Sequence, residues 1–314
     1  MISSELDAAG VREPSLREAY RHCRDVNAAH GKTFFLATRL LTPRQRPAVH
    51  ALYGFARGAD DILDGFDDRD VEQRADELQQ LSKRLFASLV QHEPADDHPT
   101  LTAVVDTARK YDISWDLFDD FLASMRMDLT VTDYPDRKSL ERYMYGSAEV
   151  IGLQMLPVLG TVGRREEAAP YAAALGKAFQ LTNFLRDIDE DLDRGRVYLP
   201  ADELAAHGVD RERLLWCQRE GRTDGRVRRA LAEQHAITRK VYDQARPGID
   251  ALAPCSRPCV SAALTLYSEI LDRIEAIDFE IFGRRATVGK PRRLVVAVAG
   301  IGKAWVNRLR FGSV

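Results

Sequence analysis

Cysteine is scarce in this sequence, with four residues among 314, and histidine occurs only seven times. No two cysteines form a CxxC pair, and no cluster of histidines accompanies them. Cys255 and Cys259 flank a Ser-Arg-Pro segment that is typical of a loop. The spacing therefore disfavours a metal site built on sulfur ligands and predicts free thiols in a reducing compartment.

An excess of basic charge, a signal peptide and a long apolar run are also lacking. The 45 Lys and Arg residues face 48 Asp and Glu residues, a net charge of -3, which does not supply the basic field that nucleic-acid binding needs. The first twenty residues contain acids and no apolar core. The apolar run at 294–301 is far shorter than the ~20 residues of a membrane-spanning helix. We therefore expect a cytoplasmic protein that binds no nucleic acid.

Alternating strand patterns are absent too, whereas apolar residues recur at spacings of three and four between Pro and Gly breaks. The pattern predicts an all-α chain of about ten to twelve helices in a single domain, residues 1–314. Thr42, Pro43 and Gln45 match a capping box, which predicts a helix from residue 42 through Asp64. Loops are predicted where Pro, Gly and polar residues cluster: residues 91–100, 160–170, 246–258 and 286–293.

The segment at 180–200, QLTNFLRDIDEDLDRGRVYLP, concentrates acidic residues directly after an apolar helical stretch. On a helix that turns about 100° per residue, four polar side chains fall within about 60° of one another: Gln180, Asn183, Asp187 and Asp191. Apolar residues lie on the neighbouring arcs, which is typical of the wall of a cavity. A solvated helix end, neutralised by Arg186, Arg194 and Arg196, is the simpler alternative.

A second acidic segment, FARGADDILD at 55–64, favours the cavity interpretation. Asp60 and Asp64 lie one turn apart on the same face, Asp61 is beside them, and Arg57 is one turn earlier. Three aspartates late in an apolar helix are costly unless a cation neutralises them. Two such carboxylate sets facing one pocket are suited to Mg2+ together with a diphosphate, whose departing charge the metal neutralises.

These two segments resemble the aspartate-rich motifs of the squalene/phytoene synthase family, and the second match extends to GRVYLP. Among the family's members, the chain looks most like the bacterial phytoene synthases. The resemblance covers nearly the whole chain and includes four further stretches: residues 17–41, 124–129, 143–160 and 264–282. It implies an isoprenoid synthase helical bundle with a central hydrophobic channel, in agreement with the all-α prediction.

The resemblance also implies roles for individual residues. The implied ligands of Mg2+, or of Mn2+, are Asp60, Asp61, Asp64, Asn183, Asp187 and Asp191. The implied contacts to the substrate are Lys32, Arg57, Gln180, Asn183, Tyr267 and Arg284. Tyr145 and Asp128 match polar pocket residues, and Tyr145 joins Asp60, Asp64, Asp187 and Asp191 as a candidate catalytic residue. Lys32 is also explained as a surface lysine, Tyr267 as a core tyrosine, and Arg284 as one of several basic residues near the C-terminus.

Three positions depart from the family's usual pattern. Glu149 stands where a small side chain is common, and it is either salt-bridged and outward or a charge inside the channel. Gly58 replaces a bulkier residue before the aspartates, which would enlarge the space near the metals. Gly31 replaces a serine before Lys32. These departures bear on the product and not on the ionisation chemistry.

The activity implied by the resemblance is head-to-head condensation of two geranylgeranyl diphosphates to phytoene, through a cyclopropyl diphosphate and without a reductant. Released pyrophosphate or a tyrosine would take the protons, and Phe34, Phe35 and Tyr53 would stabilise cations. The alternatives are squalene or dehydrosqualene formation from farnesyl diphosphate, a class I terpene cyclase acting on one prenyl diphosphate, and a non-catalytic assembly factor.

Basic residues surround the apolar run near the C-terminus, a composition suited to a helix lying at a membrane surface. They are Lys290, Arg292, Arg293, Lys303, Arg308 and Arg310. Peripheral association with the cytoplasmic membrane is therefore one expectation, and a terminal helix packed on the body of the protein is the other. The sequence leaves the oligomeric state open.

Overall fold

The computed structural model describes residues 2–64, 69–95, 98–289, 291–292 and 295–296, and of Asp64 it describes the backbone only. These ranges contain sixteen named α-helices, one π-helical turn and no named strand. The helices are α1 (Ile2–Ala8), α2 (Pro14–His30), α3 (Lys32–Thr38), α4 (Arg46–Asp64), α5 (Val71–Leu89), α6 (Pro99–Tyr111), α7 (Trp115–Met127), α8 (Arg137–Met144), α9 (Val150–Leu159), α10 (Arg165–Arg186), α11 (Ile188–Asp193), α12 (Ala201–Ala206), α13 (Arg211–Glu220), α14 (Gly225–Ala245), α15 (Gly248–Ala251) and α16 (Arg257–Ala276). The π-helical turn, Tyr145–Glu149, joins α8 to α9.

The all-α prediction is confirmed, but the predicted number of ten to twelve helices is too low. Several helices are short, and some breaks between helices span a single residue, as at Gly31 and Asp187. Periodicity of apolar residues does not resolve such breaks, because the same face stays buried on both sides of them.

The helix predicted from residue 42 begins four residues later, at Arg46, and extends to Asp64 as predicted. Residues 42–45 form a turn instead of the first helical turn. One half of the predicted capping box is present, because the Thr42 amide donates to Gln45 Oε1 at 3.2 Å. Gln45 Nε2 also donates to the Val158 carbonyl at 3.0 Å, so this turn is fixed to the end of α9.

The predicted loops correspond to real connections that are shorter than expected. The loop after α9 covers 160–164, because α10 already begins at Arg165. The 246–258 loop contains the one-turn helix α15 and ends where α16 begins at Arg257. Within 91–100, helix α6 begins at Pro99, and residues 96–97 lie outside the described ranges.

Helix α10 lies at the centre of the molecule and contacts α9, α14 and α16. Its crossing with the α8–α9 region is close: a methyl group on Gly152 would overlap the Ala172 carbonyl oxygen, and one on Gly176 would overlap the Ala148 carbonyl oxygen. Glycine is needed at both positions because any side chain would push the helices apart. The described helices include none that is both long and apolar enough to cross a membrane.

Candidate active site

Two adjoining cavities lie between the helices around α10. The polar cavity has a volume of about 330 Å³ and is lined by Phe34, Leu52, Tyr53, Ala56, Asp60, Leu63, Phe121, Met125, Asp128, Tyr143, Ser147, Ile151, Gln154, Met155, Gln180, Arg194, Arg196 and Tyr198. The apolar cavity has a volume of about 130 Å³ and is lined mainly by aliphatic residues of α3, α9, α10 and α14–α16. Phe34, Ile151 and Met155 line both cavities and form the wall between them.

The first acidic segment reaches the polar cavity through Asp60, near the C-terminal end of α4. Asp61 points outward, is exposed, and forms an ion pair with Arg57. The side chain of Asp64 lies outside the described part of the structure, so its predicted role as a metal ligand stays a prediction. Asp60 therefore places a carboxylate at the cavity, and Arg57 places a guanidinium beside the segment.

The second acidic segment bends at Asp187, where α10 ends and α11 follows. The helical hydrogen bonds continue through the bend, since the Asp187 amide donates to the Asn183 carbonyl and the Asp191 amide to the Asp187 carbonyl, both at 2.8 Å. The backbone hydrogen bonding therefore continues although the single continuous helix does not, and Asp191 lines a separate small cavity beside Phe184 and Ile188. Gln180 lines the polar cavity, and its Oε1 lies 3.5 Å from Asn183 Nδ2.

Aromatic residues connect the two acidic segments. Tyr53 lines the polar cavity, and burial raises the pKa of its hydroxyl, with the nearby Asp60 and Tyr267 contributing. Tyr267 stacks on Phe179 with ring centroids 4.3 Å apart. Burial raises the pKa of Tyr267. The charge of Arg186 opposes this rise, and the charge of Asp187 adds to it. Tyr267 packs against the core and lines neither cavity, so its predicted contact to the diphosphate stays a prediction.

Arginines neutralise the carboxylates of the second segment. Arg186 binds both oxygens of Asp187, with Nε 2.7 Å from Oδ1. Arg285 bridges Asp187, at 2.9 Å, and Glu190, at 2.7 Å. Burial, with Asp187 next to it, raises the pKa of Asp191 to about 7. A carboxylate with such a raised pKa is one that additional positive charge would stabilise.

The chemistry of the oxygen atoms at this site, but not their present grouping, suits a hard divalent cation. Asn183 Oδ1 is buried and has no hydrogen-bond partner among the described residues, which leaves it available as a ligand. Asp187 and Asp191 add partly buried carboxylates, and oxygen ligands are those that Mg2+ prefers. Within the described ranges, however, no three Asp, Glu, His or Cys side chains are grouped so that they could hold a metal ion together. Arg186 and Arg285 would have to release Asp187 before it binds a cation.

The remaining predicted residues are placed differently from one another. Lys32 is the exposed first residue of α3. Arg284 is exposed, and its neighbour Arg285 makes the contacts to the acidic segment. Tyr145 is 43% exposed and does not line either cavity, whereas Tyr143 lines the polar one. The π-helical turn that begins at residue 145 changes the helical phase after Tyr143, which sequence spacing does not reveal.

Sequence reasoning missed several polar residues of the site. Arg194 and Arg196 line the polar cavity, although their spacing to the acids suggested pairing on a solvated helix end. Tyr198, in the same GRVYLP segment, also lines it. The sequence did contain a signal for these residues, because Arg194, Arg196 and Tyr198 directly follow the acidic residues in the chain.

The three departures from the family pattern have separate outcomes. Glu149 lines neither cavity and lies 3.8 Å from Lys177, so the salt-bridged interpretation is correct. A methyl group on Gly58 would meet no atom within 4 Å, which means that this exposed glycine relieves no crowding. A methyl group on Gly31 would lie 2.9 Å from the Tyr53 ring, so a larger residue would displace that ring.

The predicted aromatic residues divide between the cavity and the core. Phe34 and Tyr53 line the polar cavity and stack on each other with centroids 5.5 Å apart. Phe35 instead stacks on His50 with centroids 5.6 Å apart. Of the basic residues near the C-terminus, Arg292 is described and pairs with Glu269, its Nε lying 2.9 Å from Oε1. The other predicted residues of that segment lie outside the described residues.

Comparison with known proteins identifies the family of the chain. Residues 27–292 match the family model for squalene/phytoene synthase. The chain is 38% identical over 297 residues to a chloroplastic phytoene synthase of Daucus carota, covering 93% of this chain and 72% of the relative. It is also 38% identical over 284 residues to phytoene synthase 2 of Solanum lycopersicum, covering 89% of each chain.

Solved structures share the fold. A ligand-bound dehydrosqualene synthase superposes with a TM-score of 0.81 at 25% identity, covering 93% of this chain and 97% of that one. A squalene synthase of Alicyclobacillus acidocaldarius superposes with a TM-score of 0.76 at 24% identity, covering 87% and 98%. The chain therefore belongs to the squalene/phytoene synthase family and is a prenyltransferase.

Proposed function

We propose that this chain condenses two geranylgeranyl diphosphates head to head to phytoene, through a cyclopropyl diphosphate and without a reductant. The observation that carries the proposal is the junction of the two cavities, where Asp60 and Gln180 share a polar space that adjoins an apolar one. A prenyl diphosphate has the same two parts, a charged head and a hydrocarbon chain. The names of the plant relatives support phytoene as the product.

Oxygen atoms of both acidic segments would hold Mg2+ or Mn2+: those of Asp60, Asp61, Asp64, Asn183, Asp187 and Asp191. When bound, the cation neutralises the charge that develops on the departing diphosphate. Arg194 and Arg196 line the polar cavity and are suited to binding diphosphate oxygens, because a guanidinium donates in a planar fork. Arg57, late in α4, would add positive charge beside the first acidic segment. Lys32, at the start of α3, would add a further positive charge.

The apolar cavity would hold hydrocarbon and keep water from the allylic cation. Phe34 lies in the wall shared by both cavities, and Tyr53 stacks on it, so these rings would face a cation formed at the junction of the cavities. We further propose that residues 1–314 act as one domain, in the cytoplasm or at the surface of the cytoplasmic membrane.

The product assay tests this proposal directly. The purified chain is incubated with Mg2+ and geranylgeranyl diphosphate or farnesyl diphosphate, and the hydrocarbons are extracted and identified by mass. We expect a C40 hydrocarbon with a conjugated triene at its centre from the C20 substrate. The absence of C40 hydrocarbon, with pyrophosphate release intact, would reject phytoene synthesis.

Farnesyl diphosphate is the substrate of the second candidate, dehydrosqualene formation. The observation that favours it is the superposition on a dehydrosqualene synthase. A C30 hydrocarbon formed from farnesyl diphosphate, together with no product from the C20 substrate, would replace the first proposal with this one. A cyclic product from one prenyl diphosphate would indicate a terpene cyclase, and no metal-dependent pyrophosphate release from either substrate would indicate a non-catalytic protein.

A further inference from the structure

A carboxylate bound by two tyrosines lies in the polar cavity, apart from the two acidic segments. Asp128 follows the last residue of α7 and lines this cavity. The Tyr143 hydroxyl donates to Asp128 Oδ2 at 2.6 Å, and the Tyr198 hydroxyl donates to Oδ1 at 3.1 Å. Both tyrosines line the same cavity. The two hydroxyls and the carboxylate thus form a continuous hydrogen-bonded group at the surface of the cavity.

Stacked aromatic rings hold this group in place. The rings of Tyr143 and Tyr198 stack with centroids 5.6 Å apart, and Phe184 stacks on Tyr198 at 4.2 Å. Arg196 donates to the Asp128 backbone carbonyl at 3.1 Å, which fixes the end of α7. Tyr143 is 2% exposed and Tyr198 is 9% exposed, so neither ring has room to turn away. The geometry is therefore set before any substrate binds.

Buried tyrosines beside a carboxylate keep their protons. Burial raises the pKa of Tyr143 well above its ordinary value, and the charge of Asp128 raises it further. Burial also raises the pKa of Tyr198, with Asp128 nearby. A neutral phenol is a weak base by itself, but it can accept a proton from carbon while its own proton moves to a hydrogen-bonded carboxylate. Tyr143 and Asp128 have the contact that this transfer needs.

We propose that Asp128 is the positioning residue and final proton acceptor behind Tyr143 in the proton losses of the condensation. This inference rests on the proposed function, which requires one proton loss to close the cyclopropane and another to form the central double bond. In each step a substrate C–H bond breaks and its electron pair forms the new carbon–carbon bond. The proton goes to Tyr143 Oη as the hydroxyl proton moves to Asp128 Oδ2. Tyr143 stays neutral and Asp128 becomes neutral. Before the second step Asp128 returns its proton to the released pyrophosphate, so the carboxylate is regenerated and no oxidant or reductant is needed.

Tyr198 has a separate part in this arrangement. Its hydroxyl occupies Asp128 Oδ1, which leaves Oδ2 as the oxygen that faces Tyr143. Removing the Tyr198 hydroxyl would remove one of the hydrogen bonds that orient the carboxylate without removing the acceptor. We therefore expect a smaller effect from Tyr198→Phe than from Asp128→Asn.

The test separates ionisation from proton loss by measuring pyrophosphate and condensed hydrocarbon in the same reaction. In Asp128→Asn we expect the condensed product to fall by about 100-fold or more, as for loss of a general base. Pyrophosphate release should fall far less, because water captures the cation and gives prenyl alcohol. Tyr143→Phe should have the same signature, and the double variant should be no worse than the poorer single variant. Asp119→Asn, an exposed residue of the same helix, is the control and should match the original chain.

Three outcomes would overturn the inference. The first is an unchanged ratio of hydrocarbon to pyrophosphate in Asp128→Asn, with both falling together as a structural role predicts. The second is independent, multiplicative losses in the double variant. The third is a normal rate of hydrocarbon formation in Asp128→Asn. Asp128→Glu keeps a carboxylate and should recover part of the ratio, which keeps the test valid if the asparagine variant folds poorly. If the unaltered chain forms no condensed product, the proposed function has failed and not the proton relay.

Discussion

The polar and apolar cavities share a wall, yet they are built from different kinds of residue. The polar cavity, about 330 Å³, brings Asp60, Asp128, Arg194 and Arg196 together from distant parts of the chain. The apolar cavity, about 130 Å³, is lined mainly by aliphatic side chains and small residues, among them Gly152, Gly176 and Ala263. Under the proposed function, charge in the first would govern whether a diphosphate ionises, and shape in the second would govern which hydrocarbon is held. Substitutions on the two sides should therefore have distinguishable effects.

The largest effect is expected from Asp60→Ala, on the polar side. Loss of this carboxylate should lower metal-dependent pyrophosphate release by about 100-fold or more, because the charge on the leaving diphosphate is no longer neutralised. The loss should be equal for C15 and C20 substrates, since the hydrocarbon side is unchanged. Pyrophosphate release with each substrate measures this. Asp76→Ala, an exposed acid on α5, is the control, and a loss that differs between substrates would contradict the distinction between the cavities.

Filling the apolar cavity should change substrate length preference instead. Ala263→Phe adds a ring to the lining, which should lower kcat/KM for the C20 substrate by about 10- to 100-fold and affect the C15 substrate less. Overpacking should cost about 1–3 kcal/mol of stability. Product formation with both substrates and thermal melting measure the two effects. Ala276→Phe, exposed at the end of the same helix, should change neither, and equal losses with both substrates for Ala263→Phe would count against a hydrocarbon site.

A smaller effect is expected when the shared wall is opened. Met155→Ala removes a side chain that lines both cavities and should join them. We expect more prenyl alcohol relative to hydrocarbon, by about two- to tenfold, because water reaches the cation more easily. The stability cost should be no more than about 2 kcal/mol, since Met155 already faces open space on both sides. An alcohol fraction that stays constant would show that the wall does not exclude water.

The smallest effect is expected from Glu149→Gln, which lies outside both cavities. Glu149 pairs loosely with Lys177 at 3.8 Å, while Lys177 makes a closer pair with Glu141 at 2.7 Å. The substitution should change stability by less than about 1 kcal/mol and leave the product unchanged. Chemical denaturation and product analysis check both values. A different product would mean that the charge acts on the channel after all.

The polar cavity was easier to anticipate than the apolar one. Asp60 and Gln180 are found from their spacing on helices, because carboxylates and amides on one face of an apolar helix need a reason to be there. Met155 and Ala263 have no such signal, since an aliphatic residue in a helix has the same pattern whether it fills a core or lines a cavity. Arg284 and Tyr145 show the limit even on the polar side. Arg285, next to Arg284, contacts the second acidic segment. Tyr143, two residues before Tyr145, lines the polar cavity.

By itself, the sequence determined the all-α class, the end of the helix that carries Asp60, and the placement of Asp60 and Gln180 on helices. These follow from local periodicity and composition, which the chain expresses without distant contacts. Only the tertiary structure decided the bend at Asp187, the ion pairs of Arg285 and the grouping of Asp128 with Tyr143 and Tyr198. Those features depend on which helices pack together, because a contact between residues 15 or 98 positions apart leaves no period in the sequence.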